Sequence, residues 1–250
     1  TEISAQTGLA LSTTHRLVGE LESWGALHRD GNGRYQIGLR LWELGQHAGR
    51  QVREIARPLL QDLYNLTQET VHIAIREHGD ALYIDRIYGS RRVPQASRVG
   101  GRLPLHATAV GKVLLAFDDR WIQDAVLAGP LEALTARTTI DVDDLRAELE
   151  LIRERGYALT ADEVRVGSAS IAVPVFQREG GIGAALGLVT TADRAHTLER
   201  HLPAMRGISR RIEASVGPYP LRAMASERGR KKVTSTERKV VSGDTDATVE

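Results

Sequence analysis

Residues 12–24 read Ser-Thr-Thr-His-Arg-Leu-Val-Gly-Glu-Leu-Glu-Ser-Trp. At about 100° per residue with Ser12 at zero, a helix gathers Thr14, Leu17, Val18, Leu21 and Trp24 between about 120° and 240°. Thr13, His15, Arg16, Gly19, Glu20 and Ser23 fill the opposite arc. Ser12 is predicted as the N-cap, because its hydroxyl can accept from an orphan amide of the first turn, and Gly25 ends the helix. Leu17, Leu21 and Trp24 are expected to anchor one side. The other is short, hydrogen-bonding and cationic near its start, as a helix entering a DNA major groove requires.

Any surface helix has a polar face, so periodicity alone does not choose between these meanings. The flanking sequence does. A short helix over Glu2–Thr7 stops at Gly8. After Gly25, two short strands, Leu27–Arg29 and Arg34–Ile37, surround Asp30-Gly31-Asn32-Gly33, a turn rich in residues that accept positive φ. Helix, turn, helix and hairpin make a helix-turn-helix with a wing. Ser12, Thr13, His15 and Arg16 are the candidate base-reading residues. Arg29, Asn32 and Arg34 are the candidate contacts to backbone or minor groove.

The chain has 250 residues, 33 Lys and Arg against 32 Asp and Glu, and no cysteine. A net charge of +1 excludes a uniformly basic coat, so a nucleic-acid contact has to be a local patch. Residues 1–40 carry four arginines and four carboxylates, so one unit is expected to bind weakly and to need dimers or tetramers. Lack of cysteine excludes disulfides, thiolate catalysis and Cys-containing metal sites. No apolar run reaches the ~18–20 residues of a membrane helix, and Thr-Glu-Ile-Ser is not a signal sequence. A cytoplasmic globular protein is expected.

Beyond the wing, Leu39 to about Leu66 has helical spacing, with Pro58 marking a kink or fresh start. Val71–Arg76 and Ala81–Ile87 read as strands joined at His78-Gly79-Asp80. Helices are predicted at Leu105–Phe117 and near Trp121–Leu127. Another follows a capping box of Asp141 and Asp144 and is closed by Gly156. Ala158–Thr160, Ser170–Phe176 and Ala184–Thr190 return to strand, and Ala195–Val216 to helix. Residues 228–239 are strongly basic, and the tail 218–250 is read as disordered, with nonspecific phosphate contact as its functional alternative.

No catalytic constellation emerges in this half. Ser170, His106 and Asp162 could form a triad, but no G-x-S-x-G elbow surrounds the serine. His72 with His78 and His196 with His201 are poorly spaced for a metal, so structural or surface histidines are expected. Gly180-Gly181-Ile182-Gly183 lacks the helix a dinucleotide loop needs. No cofactor is predicted. The start of the Leu105–Phe117 helix, set among Ala107, Thr108, Ala109 and Gly111, offers amides and a positive dipole end to a carboxylate. Ordinary helix-on-sheet packing uses the same small residues.

Thr7-Gly8-Leu9, Ser12 to Leu17, Tyr35-Gln36-Ile37-Gly38 and Leu41 to Gly45 resemble the winged helix of IclR-type bacterial transcription regulators. The likeness continues through Gln68 to Val71, Leu103 to Lys112, Arg155-Gly156-Tyr157-Ala158 and Ile171 to Val175, in the family's order over about residues 1–216. It implies an α+β protein: a winged helix-turn-helix over 1–38, a linker helix region over 39–66, and a GAF/PAS-like antiparallel-sheet effector domain over 67–217. It also implies a helix ahead of Glu2–Thr7, with which this chain does not begin.

Carried over by the resemblance, the effector-lining positions are Arg92, Gln95, Ala109, Val110, Thr160, Ser168, Ser170, Gly187 and Val189. The family commonly has an acid at Thr160, cysteine at Ser170 and serines at Gly187 and Val189. Losing that acid beside Arg92 implies a more positive pocket, hence a small carboxylate-bearing effector with a larger apolar part than a two- or three-carbon acid. The implied protein is a non-enzymatic repressor on double-stranded operator DNA, assembled as a homodimer or a dimer of dimers. The alternatives are a small-molecule sensor acting through protein contacts and an enzyme on a GAF-like domain.

Overall fold

The computed structural model describes residues 2–47, 50–89, 93, 98–177 and 180–216. They divide into two units, one up to Arg50 and one from Gln51 onward. In the first, α1 (Glu2–Thr7) leads through Gly8, at φ +68°, into α2 (Leu11–Ser23). Strands β1 (Leu27–Arg29) and β2 (Tyr35–Ile37) pair antiparallel, and α3 (Leu39–His47) follows. Gly38 lets β2 close onto the end of α2. Its amide donates to Ala26, and a Cβ there would stand 2.2 Å from the Gly25 carbonyl oxygen.

Ser12 is not the N-cap. Helix α2 starts one residue before it, with Ala10 at the cap position and no side-chain cap bond. Its buried residues are Thr14 and Val18, so the inward direction lies near 220° on the wheel, at about one edge of the apolar arc. Leu17, Leu21 and Trp24 are therefore not its anchor: they stand 41%, 42% and 50% exposed. The amphipathic arc is wider than the face this unit buries.

The second unit opens with α4 (Arg50–Thr67), which runs straight through Pro58; the proline is exposed, and no new helix starts there. Ala56, Leu59, Leu60 and Leu63 recur at helical spacing and are buried. The sheet comprises β3 (Thr70–Glu77), β4 (Asp80–Ile87), β5 (Arg102–Pro104), β6 (Ala158–Ala161), β7 (Ser168–Phe176) and β8 (Ile182–Thr191). Its spatial order is β5-β4-β3-β8-β7-β6, every neighbouring pair antiparallel. Strand β5 was not visible in the sequence pattern. Between β5 and β6 the chain crosses the sheet through α5 (Ala109–Ala116), α6 (Arg120–Leu127) and α7 (Val142–Arg155), while α8 (Leu202–Val216) follows β8.

The two faces of the sheet carry separate cores. One packs Leu60, Leu63, Ile73, Ile75, Ile171 and Leu186 with Met205 and Ile212, from α4 and α8. The other packs Ala74, Tyr83, Ala172 and Ala185 against Val113, Leu114, Leu145 and Ile152, from α5 and α7. A bulge interrupts the β3–β4 ladder between Ile73 and Ala74, where Ile73 faces Asp85 and Ala74 faces Tyr83.

Two helix boundaries differ from expectation. Leu105–Ala107 is a 3-10 turn, and α5 begins at Ala109 after Thr108 breaks into extended backbone. The predicted Ala195–Val216 helix is two 3-10 turns, Ala192–Thr197 and Glu199–His201, before α8. At α7 the expectation holds: the Asp141 carboxylate accepts from the amides of Asp143 and Asp144, and Gly156 caps the end at φ +80°.

Candidate nucleic-acid interface and effector cleft

With Val18 and Thr14 turned in, Arg16 lies nearly opposite on α2. Ser12, His15 and Arg16 are exposed and Thr13 is half-buried. At the wing, Asp30 Oδ1 accepts from the amides of Asn32 and Arg34, each 2.9 Å away, and this fixes the tip. Asn32 and Arg34 project into solvent. Arg29 is more tightly held: its guanidinium bonds the Tyr35 hydroxyl, lies 4.6 Å over that ring and is 3.9 Å from Glu22. The Tyr35 hydrogen bond holds the Arg29 proton more tightly than usual.

In the second unit a cleft of about 470 Å³, counting its open mouth, lies on the α5 side of the sheet. Ala109, Val110, Thr160, Ser168, Ser170 and Val189 line it. Gly187 sits beneath the His72 ring: a Cβ there would stand 2.4 Å from Nε2. Arg92 and Gln95 lie outside the described residues, as does the chain after residue 216, which includes the basic tail.

His72, Tyr83, Arg86, Leu103, Thr108, Glu163 and Val164 complete the lining, and the sequence reading did not include them. His72, expected as a structural or surface histidine rather than a metal ligand, is buried and forms part of the cleft wall. The hairpin linking β3 and β4 was the available signal, since it pairs His72 with Arg86. Burial and the Arg86 charge push the His72 pKa down to about 3. Burial likewise makes the Arg86 guanidinium easier to deprotonate than usual, and it lies 5.0 Å from the Tyr88 ring centroid.

The open helix start expected at Leu105 is not there. Thr108 Oγ1 accepts from the Gly111 amide at 2.9 Å, so the start of α5 is capped by its own side chain. The cleft does contain an acid despite Thr160. Glu163, three residues on, is bonded through both oxygens to the wholly buried Lys112, which also holds Glu148. Burial raises the Glu163 pKa while Lys112 opposes the rise.

Two of the candidate triad residues have partners outside the triad. His106 Nε2 lies 3.0 Å from the Glu132 carbonyl oxygen, Asp162 accepts from the Gly167 amide, and Ser170 faces the cleft. Among the described residues no group of three or more potential metal ligands converges, and no helix is long and apolar enough to cross a membrane.

The family description "IclR helix-turn-helix domain" matches residues 1–31, and "Bacterial transcriptional regulator IclR C-terminal" matches residues 47–214. The HTH-type transcriptional regulator XynR of Escherichia coli is 36% identical over 207 residues, 80% of this chain and 81% of XynR. The HTH-type transcriptional repressor AllR of the same species is 32% identical over 197 residues, 77% of this chain and 73% of AllR. An IclR homologue from Microbacterium hydrocarbonoxydans, solved with 4-hydroxybenzoate, superposes with a TM-score of 0.77 at 32% identity, covering 88% of this chain and 90% of its own. The exposed polar arc of α2, the wing and the cleft thus occur together in a chain that belongs to the IclR family: a DNA-binding transcriptional regulator with an effector domain, not an enzyme.

Proposed function

We propose that this regulator is a cytoplasmic repressor, released from its operator by a small monocarboxylate bound in the cleft of the second unit. The observation that carries this reading is the lining itself: the basic residue Arg86 among small and apolar walls from Ala109, Val110 and Val189. An anion gains a charge-assisted bond there, and an apolar body gains burial. The carboxylate pairing of Glu163 with Lys112 leaves that acid less able to repel the ligand than a free one. A structurally similar protein was solved with an aromatic hydroxy acid, which fits the same chemistry.

Ser12, Thr13, His15 and Arg16 would read the major groove, and Arg29, Asn32 and Arg34 the backbone or minor groove. A dimer or dimer of dimers would sum the weak contacts of single units. Ala109, Val110, Thr160, Ser168, Ser170 and Val189 would touch the effector directly, and Gly187 would make room for the His72 ring. The ligand shifts DNA binding only by its differential affinity for the bound and free arrangements.

The test is fluorescence anisotropy of labelled DNA from upstream of the gene, with acetate, pyruvate, benzoate and 4-hydroxybenzoate titrated in. Release by one of the acids, lost in Arg86→Gln, is expected. Tighter DNA binding on adding the acid would make the protein an activator or co-repressed regulator. Response only to neutral or cationic compounds would refute the carboxylate assignment.

A further inference from the structure

His72 is 2% exposed on β3, and its Nδ1 is buried without a hydrogen-bond partner. Buried polar atoms are ordinarily satisfied, so one that is not, on the wall of a ligand cleft, marks a place for a group from outside the chain. The ring leans along the sheet onto β8. A Cβ at Gly187 would meet Nε2 at 2.4 Å and Cε1 at 2.8 Å, the kind of close approach for which a strand interior needs glycine. The Tyr83 ring supports it with centroids 5.2 Å apart. Arg86 is its cross-strand partner and lines the same cleft.

His72 and Arg86 are cross-strand partners on one face of the sheet and both line the cleft, so one ligand can meet both. With its pKa held near 3, the imidazole is neutral at pH 7 and offers one donor and one acceptor nitrogen. Nothing bonded to Nδ1 fixes the tautomer, which is left to the ligand.

We infer that His72 is a specificity-determining residue of the cleft, hydrogen-bonding one oxygen of the bound carboxylate while Arg86 takes its charge. This rests on the carboxylate reading above. Gly187 is the positioning residue, since any side chain there would occupy the place of the imidazole.

The four acids named above are titrated by calorimetry into the full chain and into His72→Phe, His72→Gln and Gly187→Ala. The His72 ring nitrogens are followed by ¹⁵N spectroscopy. His72→Phe keeps an aromatic ring against Tyr83 and is expected to weaken the bound acid at least about tenfold, the scale of one lost charge-assisted bond. His72→Gln restores a donor and should recover part of the loss. Gly187→Ala displaces the ring and should behave like His72→Phe. In the wild type, saturation should move the His72 nitrogen resonances to a single tautomer. Acid binding within twofold of wild type in His72→Phe, with resonances unmoved at saturation, overturns the assignment while leaving the carboxylate reading intact. A wild-type chain that binds none of the four acids overturns both.

Discussion

The Nζ of Lys112, a side chain with no exposed surface, lies 2.8 Å from Oε2 of Glu163 on the cleft wall. The same nitrogen reaches Glu148 on α7 at 2.7 Å. One buried cation thus joins α5, α7 and the segment after β6. Removing it leaves Glu163 charged, buried and unmatched, an error that costs about 3–5 kcal/mol. Lys112→Met should lose that much stability in urea unfolding, and Lys112→Met with Glu163→Gln should regain most of it. A loss under ~1 kcal/mol in the single variant would show that the cation carries little of the packing.

Acid should loosen the second unit through His72. Its folded pKa is about 3 against an ordinary 6.5, so the unfolded chain binds the proton first. The stabilisation is complete above pH 6.5 and falls away as pH drops toward 3, by about 2 kcal/mol between pH 7 and pH 5. His72→Phe should flatten that part of the stability–pH curve. Glu163 acts with the opposite sign: its raised pKa gives stability that is full below the ordinary carboxylate range and lost as pH rises through the folded value. Comparing unfolding of wild type, His72→Phe and Glu163→Gln across pH 4–7 separates the two. An unchanged slope in His72→Phe would contradict the burial of the ring.

Gly38→Ala should damage the winged unit selectively. Its Cβ would sit 2.2 Å from the Gly25 carbonyl oxygen and 3.0 Å from the Ala26 carbonyl carbon. Backbone cannot yield as a flexible side chain can, so a loss of about 1–3 kcal/mol or more is expected. Faster hydrogen exchange at the amides of Gly38 and Arg40, which bond Ala26 and Gly25, should report it, with the second unit's exchange unaltered.

Arg16→Ala should weaken binding to the upstream DNA about tenfold or more. The dependence on salt tells which contact was lost. If Arg16 meets a phosphate, the slope of log affinity against log salt should shrink by about 0.9 per site. A base contact would relax sequence preference instead. Unchanged affinity would remove Arg16 from the interface.

The winged helix was legible because its signals are local. Gly8, Gly25 and Asp30-Gly31-Asn32-Gly33 set boundaries whatever packs around them, and the polar arc of α2 could be counted. Which apolar residue of α2 turns inward was not local: Val18 rather than Leu17 or Trp24 is buried. At Leu105 the small residues suggested one continuous helix. The break depends on Thr108, whose extended backbone and hydroxyl start α5 afresh. The cleft was half visible. Ala109, Val110, Ser168 and Ser170 came through motif resemblance, whereas His72, Arg86 and Glu163 depend on strand pairing and on a buried lysine 51 positions away from its partner.

The bulge at Ile73 decides which charged residue faces the cleft. Simple alternation from the hairpin turn would set Asp85 across from His72 and send the Arg86 side chain to the α4 face. The one surplus residue in β4 reverses that parity. Asp85 turns to the far side, where Arg57 meets it at 2.9 Å, and Arg86 joins Tyr83 in the cleft lining. A single extra backbone unit therefore decides which charge faces the cleft: with it the basic Arg86 lines the wall, and deleting it would bring the acidic Asp85 there instead.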